Sequence, residues 1–192
     1  ALLEGDTETG VTIMLASEVV DSGPILAQQS ARVLPEDTAA TLTDRLFELG
    51  APLLAETMKR WARGEVEAQT QNQAKATYTS LVTKTDGEMD FTLPSVRLWR
   101  QVRAYSPWPG AYTYWRGKQL KLLEVVPAPP RTRQGNHDGE GKIGTVIPSD
   151  SSGGTPAWIV VGEGLLGLRR VHLEGRRPVS AEEFLRGQPD FM

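Results

Sequence analysis

Few residues in these 192 are equipped for proton transfer or nucleophilic attack. There is no cysteine, which removes a thiolate nucleophile, a thiolate metal site and a disulfide framework. His137 and His172 are the two histidines, too few for a multi-histidine metal centre. His172 alternates within the apolar run Leu165–Leu173 and reads as a packed or surface strand residue. Asn136-His137-Asp138 holds acid–base groups but lies in a glycine- and charge-rich loop. Gly162-Glu163-Gly164 reads as a hairpin turn and not a phosphate loop, since no lysine or helix follows it. Asp21 stands apart. It lies in Val20-Asp21-Ser22-Gly23-Pro24, a tight turn after an apolar strand, where a carboxylate is a candidate proton acceptor. Asp-Ser-Gly-Pro is equally ordinary turn chemistry, and the residues alone leave both readings standing. Asp6 and Glu8, just before a strand, read as solvated. No metal site is expected.

Charge is the second chemical signal. Residues 1–63 hold ten acids and five bases, net −5; residues 64–90 hold five and two, net −3; residues 91–192 hold nine and fourteen, net +5. A basic second half points to an anionic partner, with nucleic acid the first candidate; scattered solvated charge is the plainer alternative. Arg103, Lys118, Lys121, Arg169, Arg170, Arg176 and Arg177 are the residues that would form such a face.

The elements that must position these groups can be read from pattern. Thr9–Ala16 and Ile25–Val33 read as strands, close enough to pair, around the turn that carries Asp21. Thr38 or Asp37 caps a helix whose apolar face is Leu42, Leu46, Leu49, Leu53, Leu54, Met58 and Trp61. Gly50 is a possible break, and Gly64 closes the helix. Residues 64–90 are polar, a linker that packs through Val66, Tyr78, Leu81 and Val82. Leu93–Ala104 reads as a helix with Pro94 near its start and Val96, Trp99 and Val102 inward; Trp108 with its flanking prolines is expected to pack the domain junction. Strands follow at Ala111–Trp115 and Gln119–Val126 around Arg116-Gly117-Lys118, then at Lys142–Ile147, Ala157–Val161 and Leu165–Leu173, with loops at Arg131–Gly141 and Asp150–Thr155. Ser180-Ala181-Glu182-Glu183 reads as a capping box opening a last helix. A helix followed by about five short strands fits a small barrel of the kind that binds oligonucleotides. At 39% apolar and 23% charged residues the chain is globular. No run approaches the roughly 18 apolar residues of a membrane helix. The chain opens on Ala1 with no signal-peptide pattern, so it is expected to begin inside a longer protein.

Several motifs carry a family resemblance. Gly5-Asp6-Thr7-Glu8-Thr9-Gly10-Val11-Thr12-Ile13-Met14, with Val20-Asp21-Ser22-Gly23-Pro24-Ile25-Leu26, resembles the second half of a folate-dependent formyltransferase catalytic domain. Thr77-Tyr78, Leu81, Lys84, Asp86-Gly87 and Asp90-Phe91 resemble the linker of methionyl-tRNA formyltransferases. Val102-Arg103-Ala104-Tyr105-Ser106-Pro107-Trp108-Pro109-Gly110-Ala111 resembles the start of their carboxy-terminal domain. Sugar-nucleotide formyltransferases share the first and last of these patterns; the tyrosine-bearing linker favours the tRNA enzymes.

The resemblance implies an α/β, partial Rossmann-like formyltransferase domain over residues 1–63, a linker over 64–90, and a small OB-like β-barrel domain over 91–192 that binds tRNA. It implies formyl transfer from 10-formyltetrahydrofolate to the amino group of methionyl-initiator tRNA, without a metal, by a cytoplasmic monomer. Asp21 would be the catalytic carboxylate, accepting the amine's proton or holding a histidine cationic to stabilise the oxyanion, with backbone N–H groups fixing its orientation. Val19, Val20 and Asp21 would line the folate pocket. Lys84, Arg103, Lys118, Lys121, Arg169 and Arg170 would meet tRNA phosphates. Asn136-His137-Asp138 lacks the surroundings of the family's Asn-x-His motif and is not expected to be catalytic. The alternatives are a sugar-nucleotide N-formyltransferase and a non-catalytic RNA-binding module. The family's upstream asparagine and histidine have no counterpart before Asp21, so the purified 192-residue chain is expected to be inactive. A formylation assay that detected turnover by this chain would refute that expectation.

Overall fold

Two short strands and one long helix build the first part of the chain. The computed structural model describes residues 1–128, 142–149 and 155–191. They divide into two units, Ala1 with Gly5–Leu81, and Leu2–Glu4 with the chain from Val82 onward.

In the first unit β1 (Glu8–Met14) pairs antiparallel with β2 (Ile25–Arg32), in register from Glu8 opposite Arg32 to Ile13 opposite Ala27. Both expected strands are present with their ends shifted by one or two residues. Helix α1 spans Ala39–Ala62. Thr38 is its cap: the Thr38 hydroxyl accepts the Thr41 N–H at 3.3 Å, and the Thr41 hydroxyl accepts the Thr38 N–H at 2.9 Å. Asp37 is buried instead, accepting the Leu34 N–H at 2.7 Å and pairing with Arg45. Gly50 does not break the helix. A Cβ there would lie 3.1 Å from Val11 Cγ1, so Gly50 lets α1 close on β1. Gly64, at φ +70°, ends the helix as expected, with the Glu65 N–H returning to the Arg60 carbonyl at 3.0 Å.

The apolar face of α1 is divided. Leu42 is buried and Leu46, Leu49 and Leu53 are half-buried, whereas Leu54, Met58 and Trp61, expected beside them, are exposed together with Phe47. At 3.6 residues per turn these four form a stripe beside the packed one, and a two-stranded sheet is too narrow to cover both. The expected linker anchors also differ: Tyr78, Leu81 and Val82 are exposed and Val66 is half-buried. Residues 64–81 join the first unit through backbone, Ile25 and Gln69 exchanging hydrogen bonds at 2.8 Å in both directions.

The second unit is an antiparallel sheet with helices against it. Its strands are β3 (Ala111–Trp115), β4 (Lys118–Pro127), β5 (Val146–Pro148), β6 (Ala157–Val160), β7 (Leu165–Leu173) and β8 (Val179–Ser180). They run in the order β3-β4-β7-β6-β5, with β8 beside β7. β3 and β5 do not pair with each other among the described residues, so the observed element is a six-stranded sheet and not the closed barrel expected from the strand count. β3 and β4 are joined by Arg116-Gly117, both at positive φ (50° and 74°), the backbone that a two-residue hairpin needs. β5 starts later than expected because Gly144, at φ +86°, turns the chain before Val146. The Asn136-His137-Asp138 segment lies outside the described residues, as do loop residues 131–141 and 150–154.

β4 and β7 are both irregular at one level. Leu122 faces Val171, Glu124 faces Arg170 and Val125 faces Leu168, leaving Leu123 and Arg169 as extra residues, one in each strand. The core-facing side chains change phase together, from Leu120 and Leu122 to Val125 in β4, and from Leu173 and Val171 to Leu168 and Leu166 in β7. Register is therefore the same on both sides, and Arg169 and Arg170 are exposed in succession. Such bulges also bend and twist a sheet.

Helix α2 (Ser95–Ala104) packs on β4 and β7, and α3 (Ala181–Gly187) on β7. Pro94 is the cap of α2 rather than its first turn. Leu98, fully buried, and Val102 face the core, Trp99 is half-buried against it, and Val96 is exposed rather than inward. In α3 the Ser180 hydroxyl accepts the Glu183 N–H at 3.1 Å. The reciprocal arm of the capping box is absent because the Glu183 carboxylate pairs with Arg177 at 2.8 Å. Ahead of α2, residues 89–95 are tied to the sheet by backbone bonds: Met89 N–H to the Tyr112 carbonyl, Gly162 N–H to Phe91, and Ser95 N–H to Glu163, at 2.8–2.9 Å.

A Cβ at Gly162 would lie 1.7 Å from the Thr92 carbonyl oxygen, whereas Gly117 meets no atom within 4 Å. Gly162→Ala is therefore expected to cost about 3 kcal/mol or more through forced backbone movement. Gly117→Ala should cost about 1 kcal/mol from its positive φ alone. Thermal unfolding of the two variants checks the difference.

Candidate functional site

The loop between β1 and β2 carries Asp21, at φ 57°, a left-handed conformation that aspartate and asparagine tolerate better than other non-glycine residues. Gly23 follows where a Cβ would lie 1.7 Å from the Leu15 carbonyl oxygen. That carbonyl's own residue donates its N–H to the Pro24 carbonyl at 3.0 Å, closing the loop base. Inside the loop the Val19 carbonyl accepts from the Ser17 and Ser22 hydroxyls, at 2.8 and 2.9 Å, and those hydroxyl oxygens lie 2.9 Å apart. Gln71 holds the loop from the side: its Nε2 donates to the carbonyls of Asp21 and Gly23 at 2.8 and 2.7 Å.

This network fixes backbone and leaves surface for a ligand. Val19 and Val20 are 68% and 84% exposed. Among the described residues the Val20 N–H and C=O and the Asp21 N–H form no internal hydrogen bond. A ring with an apolar face and polar edges fits such a surface. The Asp21 carboxylate is exposed and has no donor among the described residues. The expected backbone N–H contacts to it are absent among the described residues: the side-chain donors of Ser17, Ser22 and Gln71 go to carbonyls, and the turn orients Asp21 through φ. Gln71 was not legible in the sequence, since a glutamine in the polar run Gln69-Thr70-Gln71-Asn72 carries no periodic signal.

The residues expected to meet phosphate are spread over the second unit. Lys121 and Arg170 share one face of β4 and β7, where Lys121 stands between Tyr112 and His172 in a cross-strand row. Lys118 opens β4 opposite Trp115, on the other face by alternation. Arg169 occupies the β7 bulge, and Lys84 lies on the single turn Lys84–Gly87. Arg103 lies in α2 with its guanidinium 4.3 Å from the Trp99 ring centroid. The charge is partly neutralised: Arg170 lies 3.7 Å from Glu124, and Arg177 pairs with Glu183. Lys84, Lys118, Lys121, Arg169 and Arg176 have no ion-pair partner among the described residues. His172 is bound to structure, its Nε2 lying 2.7 Å from the Arg176 carbonyl. Asp90, from the linker motif, accepts the Thr92 hydroxyl and N–H at 2.6 and 3.0 Å, which hold its carboxyl below the usual range. Burial pushes the Tyr105 phenol up, with the Asp86 carboxylate adding and Arg97 opposing. No group of three or more His, Asp or Glu side chains is placed to hold a metal among the described residues, and no helix among them is long and apolar enough to cross a membrane.

Residues 81–189 match the family model described as formyl transferase, C-terminal domain, and residues 1–58 match that described as formyl transferase. The chain belongs to the formyl transferase family. A relative named methionyl-tRNA formyltransferase, from Chloroflexus aurantiacus, is 43% identical over 97% of this chain, which spans 57% of the relative's length. Two solved structures share the fold. HypX from Aquifex aeolicus in complex with tetrahydrofolic acid aligns with TM-score 0.64 at 18% identity, covering 99% of this chain and 31% of its own. WlaRD, a sugar 3N-formyl transferase, aligns with TM-score 0.63 at 16% identity, covering 92% and 58%.

Replacing Gln71 by alanine removes both side-chain ties to the loop, each worth about 1 kcal/mol net. Amide exchange at Ser22 and Leu15, whose N–H groups close the loop at 3.3 and 3.0 Å, is expected to accelerate roughly tenfold, with Val11–Ile13 unchanged. Unaltered exchange in the loop would show that Gln71 does not hold it.

Proposed function

We propose that this chain is part of a methionyl-tRNA formyltransferase, which moves a formyl group from 10-formyltetrahydrofolate to the amino group of methionine on initiator tRNA. The observation that carries the reading is the Asp21 loop, built as described, in a chain of this family whose relatives bear that enzyme's name. Residues 1–63 are the end of the catalytic domain, 64–90 the linker, and 91–192 the tRNA-binding domain. That last sheet is read as OB-like, its bulged β4 and β7 supplying the curl. The protein works as a cytoplasmic monomer and needs no metal.

In this mechanism the folate supplies the activated formyl group. Val19 and Val20 offer the exposed apolar surface, and the free N–H and C=O of Val20 the polar groups, that hold its ring. The methionine nitrogen attacks the formyl carbon as a neutral amine; as the amide forms, the bond from that carbon to the folate nitrogen breaks, and the proton the amine sheds balances the one the departing nitrogen takes up. Asp21 takes that proton, directly or through one water. Lys84, Lys118, Lys121 and Arg169 supply charge for phosphates, with Arg103 and Arg170 more engaged within the protein. Affinity from such contacts is steeply salt-dependent and carries little base specificity.

A sugar N-formyltransferase is the second reading, favoured by the likeness to WlaRD. It needs no basic second domain. Full-length protein assayed with methionyl-tRNA and 10-formyltetrahydrofolate separates the two. Asp21→Asn keeps a residue tolerant of the left-handed turn and is expected to lower turnover by about 10²-fold or more. Turnover with an amino-sugar nucleotide but not with methionyl-tRNA would replace the substrate reading, and unchanged turnover in Asp21→Asn would end the proton-acceptor role.

A further inference from the structure

The Ser106-Pro107-Trp108-Pro109-Gly110 turn has no part in the loop chemistry above, and its tryptophan, expected to pack, is 57% exposed. A proline on each side restricts the backbone that presents it. The turn is closed by the Gly110 N–H on the Tyr105 carbonyl at 2.9 Å. Against Gly110 lies the single turn Lys84–Gly87: a Cβ at Gly87 would fall 2.1 Å from the Gly110 carbonyl oxygen. On the other side lies Lys121. Its Nζ and the Pro107 carbonyl oxygen are 3.9 and 3.7 Å from the point a Cβ at Gly110 would occupy. The Lys121 ammonium therefore sits beside the turn that presents the indole. Lys121 and Lys84 have no ion-pair partner among the described residues. The nearest acid in sequence, Asp86, is committed to its own turn, accepting the Thr83 N–H and hydroxyl at 2.6 and 2.9 Å; Glu88 is exposed.

We propose that Trp108 is a stacking platform for an unpaired nucleotide of an RNA ligand, with Lys121 holding the adjoining phosphate. An exposed ring on a rigid backbone loses little freedom when a base settles on it. Unpaired bases offer a π-face that paired ones keep inside the helix. The lysine selects a nucleotide over a purely apolar partner. This inference rests on the RNA reading of the second domain and adds a contact to bases, where the basic residues reach only phosphate.

The test titrates the 192-residue chain with a single-stranded tetraribonucleotide and, separately, with methionyl-tRNA. Binding is followed by anisotropy of a label on the RNA and, in parallel, by tryptophan fluorescence. Trp108→Leu is expected to weaken tetranucleotide binding about tenfold, within the range for loss of one base–aromatic stack. Trp108→Phe should keep the affinity within about threefold, since a ring remains, while the fluorescence quench on binding disappears. Lys121→Gln should flatten the salt dependence by about one phosphate contact. If Trp108→Leu does not fold, the Trp108→Phe quench and the Lys121→Gln salt slope decide. Wild-type affinity in folded Trp108→Leu, or a quench that persists in Trp108→Phe, overturns the stacking site while leaving tRNA binding intact. Failure of the wild-type chain to bind either RNA overturns the stacking site and the RNA reading together.

Discussion

The second unit depends on the seven residues that lead into α2. From Met89 to Ser95 the chain runs from the edge of β3 to the turn between β6 and β7, hydrogen-bonded to Tyr112 at one end and to Gly162 and Glu163 at the other. Two close approaches make this passage possible, Gly87 against Gly110 and Gly162 against Thr92. A side chain at either glycine would push the passage off the sheet. Everything downstream takes its position from this stitching: the Asp90 turn, the entry into α2, the burial of Leu98, and the turn that presents Trp108. The linker motif Asp86-Gly87 with Asp90-Phe91 thus has a mechanical content. It is the stretch whose backbone must lie flush on the domain that follows.

The Asp21 loop works by a different logic. Its side-chain hydroxyls and the Gln71 amide are spent on backbone carbonyls, so the turn is held without drawing on the groups a ligand would use. The carboxylate stays in solvent and free of partners among the described residues. The arrangement suits the proton-acceptor role proposed for Asp21, since no internal donor among the described residues competes for its oxygens.

Much of the fold was legible because its signals are local. β1, β2, the capped helix α1, the Arg116-Gly117 hairpin and β7 follow from alternation, capping residues and turn chemistry within a few positions. The turn that carries Asp21 follows from its composition. What failed depended on distant partners. The apolar side of α1 was read as a single face, but how much of a helix is covered depends on how wide a sheet lies beneath it. Tyr78 and Leu81 have the apolar character of anchors and Gln71 has none, yet the structure exposes the first two and gives Gln71 two hydrogen bonds to the loop backbone. Five short strands suggested a barrel, yet whether a sheet closes depends on pairings between its first and last strands, which no local pattern encodes.

The paired bulges of β4 and β7 bear on how this domain can change over time. Because Leu123 and Arg169 each add one residue at the same level, the two strands shift phase together and the leucines and valines beyond them still face inward. Deleting either residue alone would turn the rest of that strand inside out against its neighbour. Descendants of this sequence can therefore lengthen or shorten here only in matched steps, so two positions 46 apart in the chain are bound to a common history of insertion and deletion.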